Sequence, residues 1–373
     1  MTTIDIKDLP STACIDWQER LKKGASIIPP PLFPERAEQA LQVFKNLRIV
    51  DLPGRPLIGD SCAQWVFDLA AAVFGAYDVD SGNQMIREVF IMLPKKNTKS
   101  TIAAAMMVTA QILNWRDSAT FSIIAPTKEI AKNSFNPARD MVRVDEDLFE
   151  MLHVQEHIKT IKHRIDYSEL KVLAAETDTV GGTKDSIILV DELHLFGPVE
   201  KSANMFTEAT GGLASRPEGF VMWLTTQSAE PPAGFYKEKL DYARAVRDGK
   251  VHDPQFLPII YEFPDDVIRS EEHLNPKNFY MVNPNLGYSV DENFLKRELT
   301  KAEASGEEAV RRFAAKHLNY EVGLALKSNR WAGADYWEKS TGTHTTVDDI
   351  IEQCEVIDIG IDGGGLDDLL GFV

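Results

Sequence analysis

A lysine followed by a hydroxyl, Lys99-Ser100, closes the stretch Pro94-Lys95-Lys96-Asn97-Thr98-Lys99-Ser100, and Thr101 follows it. Residues 89–93 before it form a short apolar run, and a helical pattern opens at Ser100. A strand, a basic loop ending in Lys-Ser and then a helix is the layout of a phosphate-binding loop. In that layout backbone N–H groups and a helix N-terminus face the phosphates, the lysine is a point charge, and the hydroxyl holds Mg²⁺. The pattern Gly-x-x-x-x-Gly-Lys-Ser/Thr is not met, because Leu93 and Thr98 stand at its two glycine positions. Taken alone, this is a weak motif, and a solvated Lys-rich turn between a strand and a helix is the plainer reading.

Two further clusters could complete the chemistry. Residues 186–190 (SIILV) are a continuous apolar run that ends in Asp191-Glu192. Such a run suits a strand buried on both faces. Asp191 at its end can bind Mg²⁺, and Glu192 can polarise a water lined up on a γ-phosphate, although the pair alone is more simply an ordinary strand-to-turn boundary. Residues 219–225 (GFVMWLT) end in Thr225-Thr226-Gln227-Ser228, where a threonine can sense the γ-phosphate or simply finish a strand. The loop and the acidic pair are expected on neighbouring strands. Gln64 and Trp65 open a helix upstream of the loop; the glutamine can read an adenine edge and the aromatic can pack on a base, or they are a helix cap and a core tryptophan.

The elements needed to position these groups are legible as strands alternating with helices. Strands are predicted over 89–93, 120–125, 158–165, 170–174, 186–190, 219–225 and 256–263, with 158–165 and 170–174 as a hairpin. Helices are predicted over 101–114, over 129–152 with an interruption at Pro137, and over 235–247. The alternation implies an α/β fold with a mostly parallel sheet flanked by helices. Ligands in such sheets sit at the carboxyl ends of the strands, where all three clusters fall. Residues 1–55 carry two helical patterns around a Pro-rich break and read as an interaction or covering segment. Residues 283–287 form a turn, and 291–319 form one or two charged amphipathic helices. A new strand and a Gly-rich turn begin at 356–365.

The chain has 373 residues, about two to three domains' worth. Its net charge of −17 argues against a generally basic, nucleic-acid-coating surface. A few well-placed Lys or Arg still suffice for a local basic channel. Cys14, Cys62 and Cys354 have no metal-ligand spacing and read as reduced thiols. No signal peptide or membrane-spanning stretch is evident, which suggests a cytoplasmic location.

With these residues in place, the sequence resembles the large terminase subunit of tailed bacteriophages and prophages. Residues 59–78 are similar to the family's segment before the phosphate loop. Residues 94–100 are similar to its deviant phosphate loop, which dispenses with the first glycine; Thr98 departs from its usual small residue. Residues 189–194 are similar to its metal-binding and catalytic acids, and 224–228 to its coupling motif. Residues 178–183, 209–217 and 283–287 also resemble family segments. Residues 359–365 resemble the first strand of its RNase H-like nuclease, with Asp362 as a first metal ligand.

The resemblance implies an ATP-hydrolysing motor that moves double-stranded viral DNA into a procapsid. Its implied architecture is an N-terminal helical segment (1–55), a P-loop ATPase motor domain (56–264), a helical linker subdomain (265–350) and the start of a nuclease domain (351–373). ATP would lie over Pro94, Lys95, Lys96, Asn97, Thr98, Lys99, Ser100 and Thr101, with Gln64 at the base. Ser100 and Asp191 would hold Mg²⁺, and Glu192 would orient the water. Lys95 or Lys96 would stand in for a family arginine, and Thr226 would take part in coupling. Arg139 or Arg143 could act as a finger across a ring. Implied partners are the viral DNA, a portal or procapsid, a small terminase subunit and further copies in a ring, with no membrane, in the cytoplasm of a bacterial host. The nuclease would need a divalent metal pair, and its remaining ligands are expected beyond Val373. This polypeptide is therefore expected not to cleave DNA. A non-hydrolysing nucleotide-binding scaffold, or another P-loop nucleic-acid translocase or helicase, is the alternative.

Overall fold

The computed structural model describes residues 9–174, 184–197, 199 and 202–322, with the backbone of 361–362 and 371–372. Helices α1 (Trp17–Lys22), α2 (Pro34–Asn46), α3 (Ile58–Ser61) and α4 (Gln64–Phe74) precede a small ribbon, β1 (Tyr77–Asp78) with β2 (Asn83–Gln84). Next come β3 (Glu88–Met92), α5 (Lys99–Ile112), β4 (Thr120–Ala125), α6 (Lys128–Val144) and α7 (Glu146–Met151). Strands β5 (Leu152–Gln155), β6 (Thr160–His163) and β7 (Glu169–Ala174) form a meander. Then follow β8 (Ile187–Val190), α8 (Ser202–Gly211), β9 (Phe220–Thr225), α9 (Gly234–Arg247) and β10 (Phe256–Ile260). Helices α10 (Asp265–Arg269), α11 (Glu292–Ser305) and α12 (Glu307–Leu318) finish the described part of the first compact unit, which extends to Val322. In the second unit β11 (Ile361–Asp362) pairs antiparallel with β12 (Gly371–Phe372).

The mostly parallel sheet forms. Its order is β10-β3-β9-β8-β4-β7-β6-β5, parallel from β10 to β7 and antiparallel over the last two strands. Alternate side chains of the parallel strands feed two cores, as the pleat requires. Val89 and Ile91 join the cluster built with α2, α4, α5 and α6. Phe90 and Met92 join the one capped by Phe206 of α8 and Tyr236 and Leu240 of α9. With both faces covered, the continuous apolar runs of β3, β8 and β9 are explained.

The structure corrects three expectations. Strands β3 and β8 are not neighbours, because β9 lies between them. Pro137 sits inside α6 without ending it. The inward face of that helix (Ala131, Ser134, Phe135, Ala138, Met141) is buried, and the carbonyl left without a donor belongs to exposed Asn133, where water can satisfy it. The break falls instead at Asp145, which caps α7 by accepting from the Leu148 N–H at 3.0 Å. A strand, β5, also follows α7 where a helix end was expected.

The N-terminal segment lies along the sheet's outer strand β10. The Thr12 hydroxyl donates to the Phe256 carbonyl at 2.6 Å, and the Cys14 N–H donates to the Arg247 carbonyl at 2.9 Å. The Arg247 guanidinium stacks 3.8 Å from the Trp17 ring centroid. Covering an edge strand in this way shields groups that would otherwise template aggregation. Among the described residues no helix is long and apolar enough to cross a membrane.

Candidate active site

Strand β3 ends in buried Met92, and the Leu93 N–H donates to the Thr225 carbonyl at 3.1 Å before the chain leaves the sheet. Helix α5 then opens at Lys99. The connecting loop has no glycine, yet Lys96 (φ +75°) and Thr98 (φ +57°) occupy the left-handed region. For a β-branched residue such a conformation costs about 1–3 kcal/mol. Thr98 stands at the N-cap of α5 but forms no side-chain cap there. The first N–H groups of the helix thus have no capping side chain, which suits an anion. Lys99 is folded back on its own loop: Nζ donates to the carbonyls of Leu93 (2.8 Å) and Pro94 (2.9 Å). Burial lowers its pKa to about 8, against the opposing pull of Glu192 and Asp191.

The Asp191 carboxylate meets this loop at the end of β8. The Ser100 hydroxyl donates to its Oδ2 at 3.3 Å across 91 positions of sequence. The Ser134 hydroxyl, from α6, donates to the same oxygen at 2.6 Å. Burial raises the Asp191 pKa to about 6, with the Ser134 hydrogen bond opposing. Glu192 follows in a left-handed conformation (φ +55°), the kind of backbone strain that clusters at functional sites. Its Oε2 is buried with no hydrogen-bond partner among the described residues. His194 Nδ1 is 3.4 Å from that oxygen, but burial depresses the ring's pKa to about 4, so the contact is not an ion pair near neutral pH.

The end of β9 fills the space between these two clusters. The Thr225 hydroxyl accepts from the His194 N–H at 3.1 Å and donates to the Thr226 carbonyl at 3.0 Å. Thr226 Oγ1 is buried without a hydrogen-bond partner among the described residues. Gln227 connects onward: its N–H donates to Asn319 Oδ1 at 3.1 Å, and its Oε1 accepts from the Tyr236 hydroxyl at 2.6 Å.

The remaining sequence candidates divide. Lys95 is half-buried, and its N–H donates to the Lys316 carbonyl at 2.8 Å; Lys96 is exposed. Thr101 lies in the first turn of α5 and lines a cavity of about 250 Å³ with Asp51, Lys132 and Asn136. The Gln64 amide rests on its own helix at Asp68 (2.8 Å). Trp65 is a core residue whose indole N–H donates to Asn285 Oδ1 at 2.8 Å. Arg139 and Arg143 are both paired with Glu156, at 2.8 and 2.7 Å, and Arg139 is also paired with Asp140. A role in a neighbouring subunit would require both to leave these partners. The Asp362 side chain and residues 178–183 lie outside the described residues. Sequence reasoning assigned no role to Ser134, Asn283 or Asn285. The signal for Ser134 was a lone hydroxyl on the otherwise apolar inward face of α6.

Ser100 and Asp191 offer two oxygen donors beside the loop 94–98, at the start of α5. Magnesium keeps several waters and takes one or two protein oxygens beside phosphate, so the donor set fits it. Among the described residues no cluster of three or more His, Cys, Asp or Glu could cage a metal without that help.

The family described as terminase large subunit, ATPase domain, matches residues 65–245. The large terminase of bacteriophage HK97 superposes with a TM-score of 0.63 at 23% identity, over 77% of this chain and 55% of that one, which establishes a shared fold. The chain thus spans a little over half the length of that terminase. The large terminase ATPase domain of Thermus phage P74-26 (TM-score 0.38, 16% identity) is matched over 54% of this chain and 85% of that one. The large terminase of a further thermophilic bacteriophage, in complex with ATP-gamma-S (TM-score 0.33, 12% identity), is matched over 65% and 49%. No curated protein matches.

Proposed function

We propose that this chain, whose residues 65–245 match the family described as terminase large subunit, ATPase domain, binds and hydrolyses ATP to drive double-stranded viral DNA into a procapsid. The observation that carries the chemistry is the meeting of Ser100 and Asp191, 3.3 Å apart, at the mouth of an uncapped helix.

ATP would lie with its phosphates over residues 94–101. Lys99 would exchange its two loop carbonyls for β- and γ-phosphate oxygens, whose negative charge favours its protonated form. Ser100 and Asp191 would hold Mg²⁺, which supplies charge neutralisation on the phosphates when bound. Glu192, with Oε2 unpaired, would accept a hydrogen bond from the attacking water and align it. Lys95 or Lys96 would add positive charge near the γ-phosphate. Thr226 would sense its loss, and the Gln227–Asn319 bond gives that change a path to the end of α12. Gln64 would meet the base only after leaving Asp68. The acidic chain would hold DNA through a few basic residues presented by each copy in a ring, with a portal and a small subunit as further partners. Any nuclease would rest on Asp362 and further carboxylates with two divalent metals.

Phosphate release by the purified chain with ATP and Mg²⁺ tests the core of this reading. Lys99→Ala and Asp191→Asn are expected to lower it at least about 100-fold, the loss typical of removing electrostatic groups from such sites. Equal rates in all three proteins would reject the site.

A further inference from the structure

A phosphate loop without glycine needs some other means of holding positive φ, and the structure places it outside the loop. Asn97, Asn283 and Asn285 are buried together. Asn97 Nδ2 donates to Asn283 Oδ1 at 2.9 Å and to the Pro94 carbonyl at 3.2 Å. The Asn285 N–H donates to Asn97 Oδ1 at 3.1 Å, and Asn285 Nδ2 donates to the Asn97 carbonyl at 3.0 Å. The same Nδ2 lies 3.4 Å from the Thr98 hydroxyl. Beside this pair, the Ser289 hydroxyl donates to the Lys96 carbonyl at 2.7 Å. The carbonyls of Lys96 and Asn97, which lie between the Cα atoms of the two residues with φ above zero, are thus bonded to the segment 283–289. Asn285 is itself oriented by Trp65, and Asn283 by the Phe279 and His317 carbonyls.

A glycine adopts φ near +57° at little steric cost, whereas threonine does so only when its surroundings over-determine it. We propose that Asn285, backed by Asn283, is a positioning residue of the phosphate loop. Its hydrogen bonds to Asn97 and Thr98 hold Thr98 in the left-handed region, beside the Ser289 bond to the Lys96 carbonyl, and so keep the N–H groups of 97–100 turned toward a phosphate before any nucleotide arrives. The inference rests on residues 94–101 carrying phosphates, but its first readout does not.

The test is a cycle of Asn285→Ala, Thr98→Gly and the double variant in the whole chain. The first readout is amide hydrogen exchange of residues 95–100 without nucleotide; the second is the KM for ATP beside kcat. Asn285→Ala is expected to speed exchange and raise KM at least about fivefold while kcat moves less, and Thr98→Gly in that background is expected to recover most of both, a coupling of ordinary size for contacting residues. Asn285→Ser, which keeps a hydroxyl for Trp65, should show the same order more mildly and serves if the alanine variant does not fold. Unchanged exchange overturns the clamp whatever the ATPase does. Faster exchange that glycine at 98 fails to reverse makes Asn285 merely structural and also overturns it.

Discussion

Ser134 shows how much one hydroxyl can matter at this site. Its 2.6 Å bond to Asp191 Oδ2 fixes the oxygen that a metal would use, with Ser100 on the same atom. Partners of metal ligands commonly carry about 10–100-fold in metal affinity. Ser134→Ala is therefore expected to raise the Mg²⁺ concentration for half-maximal hydrolysis about tenfold, with metal-free nucleotide binding unchanged. An unchanged Mg²⁺ requirement would reduce Ser134 to packing. Lys99, Ser100, Asp191 and Glu192 were legible in the sequence because each sits where an apolar run meets a polar turn. Asn283 and Asn285 were legible only as a turn, since their partners lie 186 and 188 positions away. Local pattern carries no trace of such a contact. Trp65 was open between base stacking and core, and its burial with a bond to Asn285 places it in the core.

At the scale of elements, the apolar runs located the parallel strands well. Their order was not legible, because pattern shows that a strand is buried but not beside what. The insertion of β9 between β3 and β8 brings Thr225 into contact with both clusters. Strand β5 was hidden because Leu152 follows α7 with no turn residue between them. The β9 connection depends on a close approach: a Cβ at Gly219 would lie 2.1 Å from the Ser186 carbonyl oxygen. Gly219→Ala must therefore push β9 away from β8. A loss of about 1–3 kcal/mol in denaturant unfolding is expected, as for an overpacked core. A neutral result would mean that the strand end can shift freely.

At the scale of the whole molecule, the described residues up to 322 form one compact unit, and buried groups that titrate within it couple its stability to pH. His194 and His317 are both held near pKa 4 by burial. The unfolded chain takes up protons between about pH 6.5 and 4 that these folded rings refuse, so their effect is absent above pH 6.5 and grows as pH falls to 4. Each full pH unit inside that window costs about 1.4 kcal/mol per histidine. Asp191, held near pKa 6, works the opposite way below that pH. Comparing His317→Gln with the parent removes that histidine's contribution. The variant is expected to lose less stability than the parent between about pH 7 and pH 5, read from urea unfolding at both values. Equal losses would mean that His317 titrates normally in the folded chain.

The central claim is that Glu192 activates water for a phosphate group held by Lys99, Ser100 and Asp191. The direct test is Glu192→Gln, measured for ATP binding and phosphate release in the same preparation. The account predicts binding within a few-fold of the parent and turnover lowered about 100-fold or more, because amide and carboxylate are isosteric but only the carboxylate draws a proton from water. Undiminished phosphate release from the glutamine variant would contradict it.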